Sequence, residues 1–350
     1  MSCSHFGLLH DVTKRELSLS ALRVKNAISQ NDPQPACGVF LEVLVQNTVK
    51  SAVSFKGTGL HSGKPVHLVV RPASADYGIW FRRTDLRKGD PLVAARWDAV
   101  VASKLCTQIA NDDGVQVSTI EHLMAALAGL AVNNALIEID GPEVPILDGS
   151  AAPFVAAIMA KGIQPQSAPA RAIRVLLPVE VQDGAAIARL DPAEMLEIDF
   201  RIDFAEGGIG QQSRHLNMAN GAFVRELCDS RTFCRQSDVE AMRALGLAQG
   251  GTLDNAVVFD GDKVLSPGGL RYADEPVRHK MLDALGDLSL AGAPLLARYT
   301  GVRAGHALTN RLLHKLFTTP GAFVMDDCDA LAGGKLPGVG VHRGDFPLYA

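Results

Sequence analysis

Hydrophobic and polar positions along this chain repeat with two periods, which predict strands and helices. Strict alternation is clearest over Leu196–Phe204 and predicts a strand with one buried face. Runs rich in β-forming residues predict further strands at Val66–Arg71, Gly78–Arg83 and Ala135–Asp140. Both halves of the chain therefore mix strands with helices.

The helical period predicts five helices, and their positions give the two halves a similar plan. These helices are expected at Ser118–Leu130, Pro153–Lys161, Gly221–Leu227, Val277–Leu290 and Ala307–Phe317. The Pro, Ser and Ala content of residues 162–170 predicts a linker between the halves.

Three other segments depart from this plan. Residues 1–44 are expected to be a poorly packed extension with one short helix at 17–28, absent from the working protein if translation starts later. A segment at about 234–266 is interpreted as an insertion with a short helix and two strands. Residues 318–350, rich in Gly and Pro, are expected to be an irregular tail on the surface. The predicted domains are thus residues 45–165 and 171–317.

Size, charge and cysteine usage narrow the class of protein. A chain of 350 residues exceeds the size at which one core keeps growing, so two domains are expected. A net charge of -4 gives no sign of binding to nucleic acid or to an anionic membrane. No apolar run approaches the roughly 20 residues of a membrane span. Six scattered cysteines favour free thiols in the cytoplasm, and the first residues lack a secretory signal.

The predicted helix at 277–290 carries the most informative spacing. His279, Asp283 and Asp287 follow one another at intervals of four, so they share one helix face. A His and an Asp at this spacing often form only a hydrogen bond on the protein surface. Here apolar neighbours indicate a buried helix, where charged groups are costly unless paired or bound to metal. His279 and Asp283 are therefore candidate ligands, and His122 is a candidate third, although alone it would more often be a core histidine.

Two interpretations compete for Glu121, which directly precedes His122. It could act as a general base beside a metal-bound water. It could instead complete a capping box with Ser118, because the S-x-x-E spacing places its carboxylate near the backbone N–H of Ser118.

Weaker signals surround these residues. His306 stands at a strand-to-helix junction and could serve as a general acid held by Asp287, or could simply begin the helix. Thr232 offers a hydroxyl to an oxyanion, or is an ordinary loop residue. Lys280 could meet a substrate phosphate, or be solvated. The Gly-rich turn at 57–63, which holds His61, lacks a complete phosphate-binding spacing.

Taken together, these segments closely resemble one enzyme family. The matching stretches include Gly-Thr-Gly-Leu-His-Ser-Gly (57–63), Ser-Thr-Ile-Glu-His-Leu (118–123), Ser-Arg-Thr-Phe (230–233), Val-Arg-His-Lys-Met-Leu-Asp-Ala-Leu-Gly-Asp-Leu (277–288), Gly-His-Ala-Leu-Thr-Asn (305–310) and the segment 143–154. They resemble the UDP-3-O-acyl-N-acetylglucosamine deacetylases from about Asn47 to Phe317. The resemblance implies a cytoplasmic hydrolase that releases acetate from a UDP-linked acylated glucosamine, the committed step of lipid A synthesis.

The resemblance also implies a fold and a set of roles. The fold would be α+β, with two similar layered domains, helices between the sheets and the active site at the junction. The resemblance implies that His122, His279 and Asp283 bind Zn²⁺ (or Fe²⁺). It implies that Glu121 is the general base, that His306 is the general acid held by Asp287, and that Thr232 stabilises the oxyanion. It also implies that Lys280 contacts the substrate, that His61 belongs to the active site, and that Phe233 and residues 234–266 line a passage for the acyl chain.

Two departures and two alternatives accompany this resemblance. Residues 1–44 have no counterpart in the family, and Cys234 stands where a glycine is expected in some relatives. The alternatives are a catalytically silent sugar-nucleotide binding protein and a metalloamidase acting on a different acylated sugar. A monomer without nucleic-acid partners is expected.

Overall fold

The computed structural model describes residues 44–103, 105–328 and 333–346. These residues form a mixed α and β structure with several sheets and six α-helices, in agreement with the predicted α+β class. The short helix expected at 17–28 lies outside the described residues. None of the helices within them is long and apolar enough to cross a bilayer.

The secondary-structure elements are numbered along the chain. The helices are α1 (Glu121–Gly129), α2 (Ala152–Lys161), α3 (Ala222–Glu226), α4 (Gln236–Ala244), α5 (Glu275–Ser289) and α6 (His306–Thr318). The strands are β1 (Val45–Val49), β2 (Val53–Thr58), β3 (Pro65–Pro72), β4 (Ile79–Arg83), β5 (Leu92–Ala94), β6 (Val100–Val101), β7 (Gln108–Ala110), β8 (Gln116–Ser118), β9 (Ala135–Ile139), β10 (Ile163–Pro169), β11 (Arg171–Val175), β12 (Val179–Asp183), β13 (Ala186–Pro192), β14 (Glu197–Asp203), β15 (Gln211–Asn217), β16 (Phe233–Arg235), β17 (Val257–Asp260), β18 (Lys263–Val264), β19 (Leu295–Val302) and β20 (Phe323–Asp327).

Two large sheets dominate the structure. The first has five strands in the order β2-β3-β9-β4-β5, with a parallel pair at β9 and β4. The second has seven strands: the path β12-β13-β19-β11-β20, with β14 pairing β19 and β15 pairing β14. Alternation explains their faces: in β14, Ile198, Phe200 and Ile202 are buried, and the residues between them are more exposed.

Strands lie in the segment expected to be a linker and in the segment expected to be an irregular tail, and the second finding corrects the prediction. The expected linker contains β10, which pairs antiparallel with β1. Its prolines are tolerated because a strand in a two-stranded ribbon has one edge that makes no ladder bonds. The expected irregular tail contains β20, which pairs antiparallel with β11. Both strands owe their structure to a distant partner that local composition does not reveal.

The helices pack on one another and on the sheets. α1 packs along α5, and α2 contacts both α1 and β2. α5 also contacts β14, β15 and α6. The crossing of α1 and α5 is close at Gly286, where an added Cβ would lie 2.1 Å from the backbone oxygen of Glu121. A glycine at this position lets the two helices approach closely.

We expect Gly286→Ala to destabilise the protein by about 1–3 kcal/mol, because the added methyl group overpacks the crossing of the two helices. The measurement is denaturant unfolding of the variant beside the unmodified protein. Gly344→Ala is the control, since a Cβ there would meet no atom within 4 Å. Equal stability of the two variants would contradict the assigned role of the close crossing.

Candidate metal centre and catalytic site

Three potential metal ligands from two helices meet at one point. His122 lies in the first turn of α1, and His279 and Asp283 lie one turn apart on α5. All three are buried. Oδ1 of Asp283 lies 3.6 Å from Nε2 of His122 and 3.4 Å from Nε2 of His279. One ligand atom from each residue lies within 4.8 Å of the others, so the structure brings the three predicted ligands together.

This donor set fits a divalent metal ion. Two donors bound at about 2.0–2.1 Å to a tetrahedral ion lie roughly 3.3 Å apart, close to the two distances from Asp283. Two imidazoles and one carboxylate are also a common set of three protein ligands that leaves the fourth position for water or substrate.

The orientation of His279 is fixed by a second contact. Its Nδ1 lies 3.0 Å from the carbonyl oxygen of Ser230. A carbonyl oxygen can only accept, so Nδ1 carries the proton and Nε2 keeps its lone pair for a metal. Burial lowers the pKa of His279 to about 4, which keeps the ring neutral at pH 7.

Glu121 does not form the capping box that its spacing allowed. The residue before α1 is Ile120, no side chain caps the helix, and the N–H of Ser118 donates to the carbonyl of Pro142. Oε2 of Glu121 instead accepts from the backbone N–H of Thr107 at 3.1 Å. Thr119 adopts φ +56° just before the helix, a turn that local spacing did not reveal.

Burial also shapes the chemistry of Glu121. It raises the pKa of the carboxyl group, although His306 and His122 oppose this effect. A carboxylate with a raised pKa holds a proton more firmly once it has taken one, as a general base must. The side chain therefore combines suitable chemistry with a position beside the candidate ligands.

His306 adjoins the same centre from the first position of α6, and its Nε2 lies 3.8 Å from Oδ2 of Asp283. Its Nδ1 lies 2.9 Å from Oδ2 of Asp287, and its Nε2 lies 3.9 Å from Oε1 of Glu121. Burial lowers the pKa of His306, but Asp287 and Glu121 outweigh it and raise the pKa to about 9. The ring is therefore protonated at neutral pH and can offer a proton from Nε2.

Lys280 contacts the centre directly. Its Nζ donates to Oδ2 of Asp283 at 2.7 Å, and the side chain also lines the adjoining cavity. Burial lowers the pKa of Lys280, but the Asp283 carboxylate outweighs it and the net shift is upward. The lysine thus remains charged, and its expected contact with a substrate phosphate remains a prediction.

A cavity of about 840 Å³ adjoins the centre. His279, Lys280, Asp283, His306 and Thr232 line it. Its apolar lining from the segment 233–266 includes Phe233, Val239, Met242, Leu247, Ala256 and Val258. The Phe233 ring stands nearly edge-on to the His279 ring, with centroids 6.3 Å apart. The centre therefore opens into a mainly apolar space.

His61 lines the same cavity, on the Gly-rich turn. Both of its ring nitrogens are buried without a hydrogen-bond partner among the described residues. The carboxylate of Glu143 holds the turn, accepting from the N–H groups of His61 at 2.7 Å and Ser62 at 2.8 Å. It also accepts from the Thr119 hydroxyl, which ties the turn to the start of α1.

Comparison with known proteins is consistent with this geometry. A sequence model for the family described as UDP-3-O-acyl N-acetylglycosamine deacetylase matches residues 46–318. The chain belongs to this deacetylase family.

Individual members of the deacetylase family are similar over most of their length. A protein of Phenylobacterium zucineum (strain HLK1), named UDP-3-O-acyl-N-acetylglucosamine deacetylase, is 51% identical over 280 residues, covering 80% of this chain and 96% of that relative. A protein of the same name from Anaeromyxobacter sp. (strain Fw109-5) is 49% identical, covering 79% and 90%. One from Shewanella oneidensis is 43% identical, covering 85% and 98%.

Three residues of this candidate site were not among the sequence candidates. Ser230 orients a candidate ligand through its carbonyl, Thr107 contacts Glu121, and Glu143 holds the turn of His61. Ser230 and Glu143 lie inside the motifs of the resemblance, a signal that could have drawn attention to them. Thr107 lies outside every motif, and no local pattern marks it.

Proposed function

We propose that this protein is a zinc-dependent hydrolase that removes the N-acetyl group from a UDP-3-O-(3-hydroxyacyl)-N-acetylglucosamine and releases acetate. The observation that carries the proposal is the convergence of His122, His279 and Asp283 beside Glu121 and His306. Membership of the deacetylase family and the names of its relatives support the choice of substrate.

The proposed metal chemistry rests on the three ligands alone. His122, His279 and Asp283 would hold the ion, and the Ser230 carbonyl would keep His279 in the right tautomer. When bound, zinc lowers the pKa of a coordinated water and polarises an amide carbonyl. Imidazole and carboxylate ligands also accept Fe²⁺, so metal analysis belongs with the assay.

The proton transfers fall to Glu121 and His306, the side chains beside these ligands. Glu121 would take the proton of the attacking water through Oε1, because Oε2 is held by Thr107. Thr232 lines the cavity, and its hydroxyl would donate to the oxyanion of the tetrahedral intermediate. His306, protonated and held by Asp287, would give a proton to the departing sugar amine.

Substrate binding would use the remaining cavity residues. The apolar lining from 233–266, with Phe233, fits the fatty acyl chain. His61 and Lys280 would contact the polar part of the substrate. Because each buried CH₂ group contributes about 0.8 kcal/mol, four buried methylenes alone correspond to roughly a 200-fold preference for an acylated substrate.

The proposal also covers the arrangement of the domains and the cellular compartment of the reaction. Residues 45–165 and 171–317, with an insertion at about 234–266, would form two domains with helices between the large sheets and the site at their junction. Contacts of α1 with α2 and α5, and of α5 with β14, support this arrangement. The reaction would belong to lipid A synthesis in the cytoplasm, a setting that suits the free thiols of Cys106, Cys228 and Cys234.

We expect the purified protein to release acetate from the acylated UDP-sugar, and a chelator to abolish the release until zinc is added back. Acetate and free amine are measured in parallel. UDP-N-acetylglucosamine without the acyl chain should react with a kcat/KM at least about 100-fold lower, through lost apolar burial. Binding without acetate release would support the silent binding protein, and equal rates on both sugars would support an amidase of different specificity.

A further inference from the structure

We propose that Thr107 is a positioning residue that fixes both carboxylates through which protons pass at this site. The residue is buried, with only 1% of its surface exposed. Its backbone N–H donates to Oε2 of Glu121 at 3.1 Å, and its hydroxyl donates to Oδ1 of Asp287. Its carbonyl accepts from the N–H of Ile120, just before α1, at 3.5 Å. One residue thus contacts the base, the partner of the acid and the start of α1.

These contacts decide which oxygens face His306. Each carboxylate has two oxygens, and Thr107 donates a hydrogen bond to one oxygen of Glu121 and to one oxygen of Asp287. The other two remain: Oδ2 of Asp287 lies 2.9 Å from Nδ1 of His306, and Oε1 of Glu121 lies 3.9 Å from its Nε2. Because a carboxylate oxygen accepts, the Thr107 hydroxyl donates to Asp287 and fixes the orientation of that side chain.

A threonine suits this role better than its near neighbours in shape. Branching at Cβ restricts its χ1 angle, so the hydroxyl direction is set by packing. Valine keeps that shape without the donor, and serine keeps the donor without the methyl group. Comparing threonine, valine and serine at position 107 therefore separates the effect of the hydrogen bond from the effect of packing.

The inference rests on the proposed deacetylation, and the kinetic test compares variants with an active unmodified protein. We expect Thr107→Val to lower kcat about 10- to 100-fold, the range expected for losing a hydrogen bond to a charged group. KM and bound metal should stay within about 2-fold, since no ligand or substrate contact changes. Thr107→Ser should keep kcat within about 3-fold, because it retains the donor.

The matched control is Thr48→Val. Thr48 is also buried, and its hydroxyl donates to the backbone carbonyl of Asn134 at 2.7 Å, apart from the site. Its loss should lower stability while leaving kcat unchanged. If Thr107→Val does not fold, Thr107→Ala provides a second variant without the hydroxyl and with less bulk.

A double-mutant cycle shows whether the hydroxyl acts through Asp287. In an Asp287→Ala background, Thr107→Val should change kcat less than about 3-fold, because the partner of the hydroxyl is gone. An undiminished effect there, or near-normal kcat in the single Thr107→Val variant, overturns the proposal.

A readout without turnover separates this inference from the proposed function. In ¹⁵N spectra of the metal-free protein, the Nδ1 signal of His306 should shift in Thr107→Val and stay in place in Thr48→Val. An unmoved His306 signal in Thr107→Val would also count against the role assigned to Thr107. An inactive unmodified protein would overturn the deacetylation itself.

Discussion

Replacing Glu121 by glutamine is expected to lower kcat by about 10²–10⁴-fold, the contribution of a positioned general base. The amide keeps the size of the side chain, and its oxygen can still accept from the N–H of Thr107. It cannot take a proton from water. Because Glu121 is not among the three ligand residues, the variant should bind as much metal as the unmodified protein.

The measurement combines initial rates of acetate release with metal analysis and a thermal unfolding curve. Glu138→Gln serves as the control, since Glu138 lies on the five-stranded sheet and pairs with Arg71 and Arg82. Its kcat should stay near that of the unmodified protein. Near-normal turnover in Glu121→Gln would show that the carboxylate only braces Thr107 and that another group accepts the proton.

Replacing His279 by alanine is expected to remove the metal itself, together with detectable turnover. Its Nε2 is one of three candidate donors, and the two that remain offer too few contacts to retain the ion through dialysis. We expect less than about a tenth of an equivalent of metal per chain, measured by elemental analysis.

His215→Ala is the control for this second prediction. His215 lies on β15 with an exposed side chain, so its loss should change neither metal content nor rate. A His279→Ala variant that keeps a full equivalent of metal would contradict the ligand assignment. The pair of experiments also separates roles, because Glu121→Gln should lose rate and keep metal, whereas His279→Ala should lose both.

The ligand pattern on α5 was predictable because helix geometry is local. A spacing of four residues places His279, Asp283 and Asp287 on one face, and apolar neighbours predict that the face is buried. The same reasoning identified the strands β3, β4, β9 and β14, whose partners were left open. Motif resemblance then added roles that spacing alone left undecided.

Local patterns left the outcome open, or predicted it wrongly, where it depends on a distant backbone group. The spacing of Ser118 and Glu121 is that of a capping box. The N–H of Ser118, however, donates to the carbonyl of Pro142, and the Glu121 carboxylate accepts from the N–H of Thr107. Likewise, β10 and β20 become strands because β1 and β11 offer free edges to them. Local composition carries no information about these partners.

The sequence by itself determined the types of side chain available and their placement on each element, because helix and strand periods are short. It therefore predicted the mixed α and β class and the candidate ligands. Only the tertiary structure decided that His122 meets His279 and Asp283, through the close crossing of two helices at Gly286. It also decided that Thr107 lies between Glu121 and Asp287, 180 residues from the latter. Such contacts depend on packing between distant segments, and no local pattern encodes them.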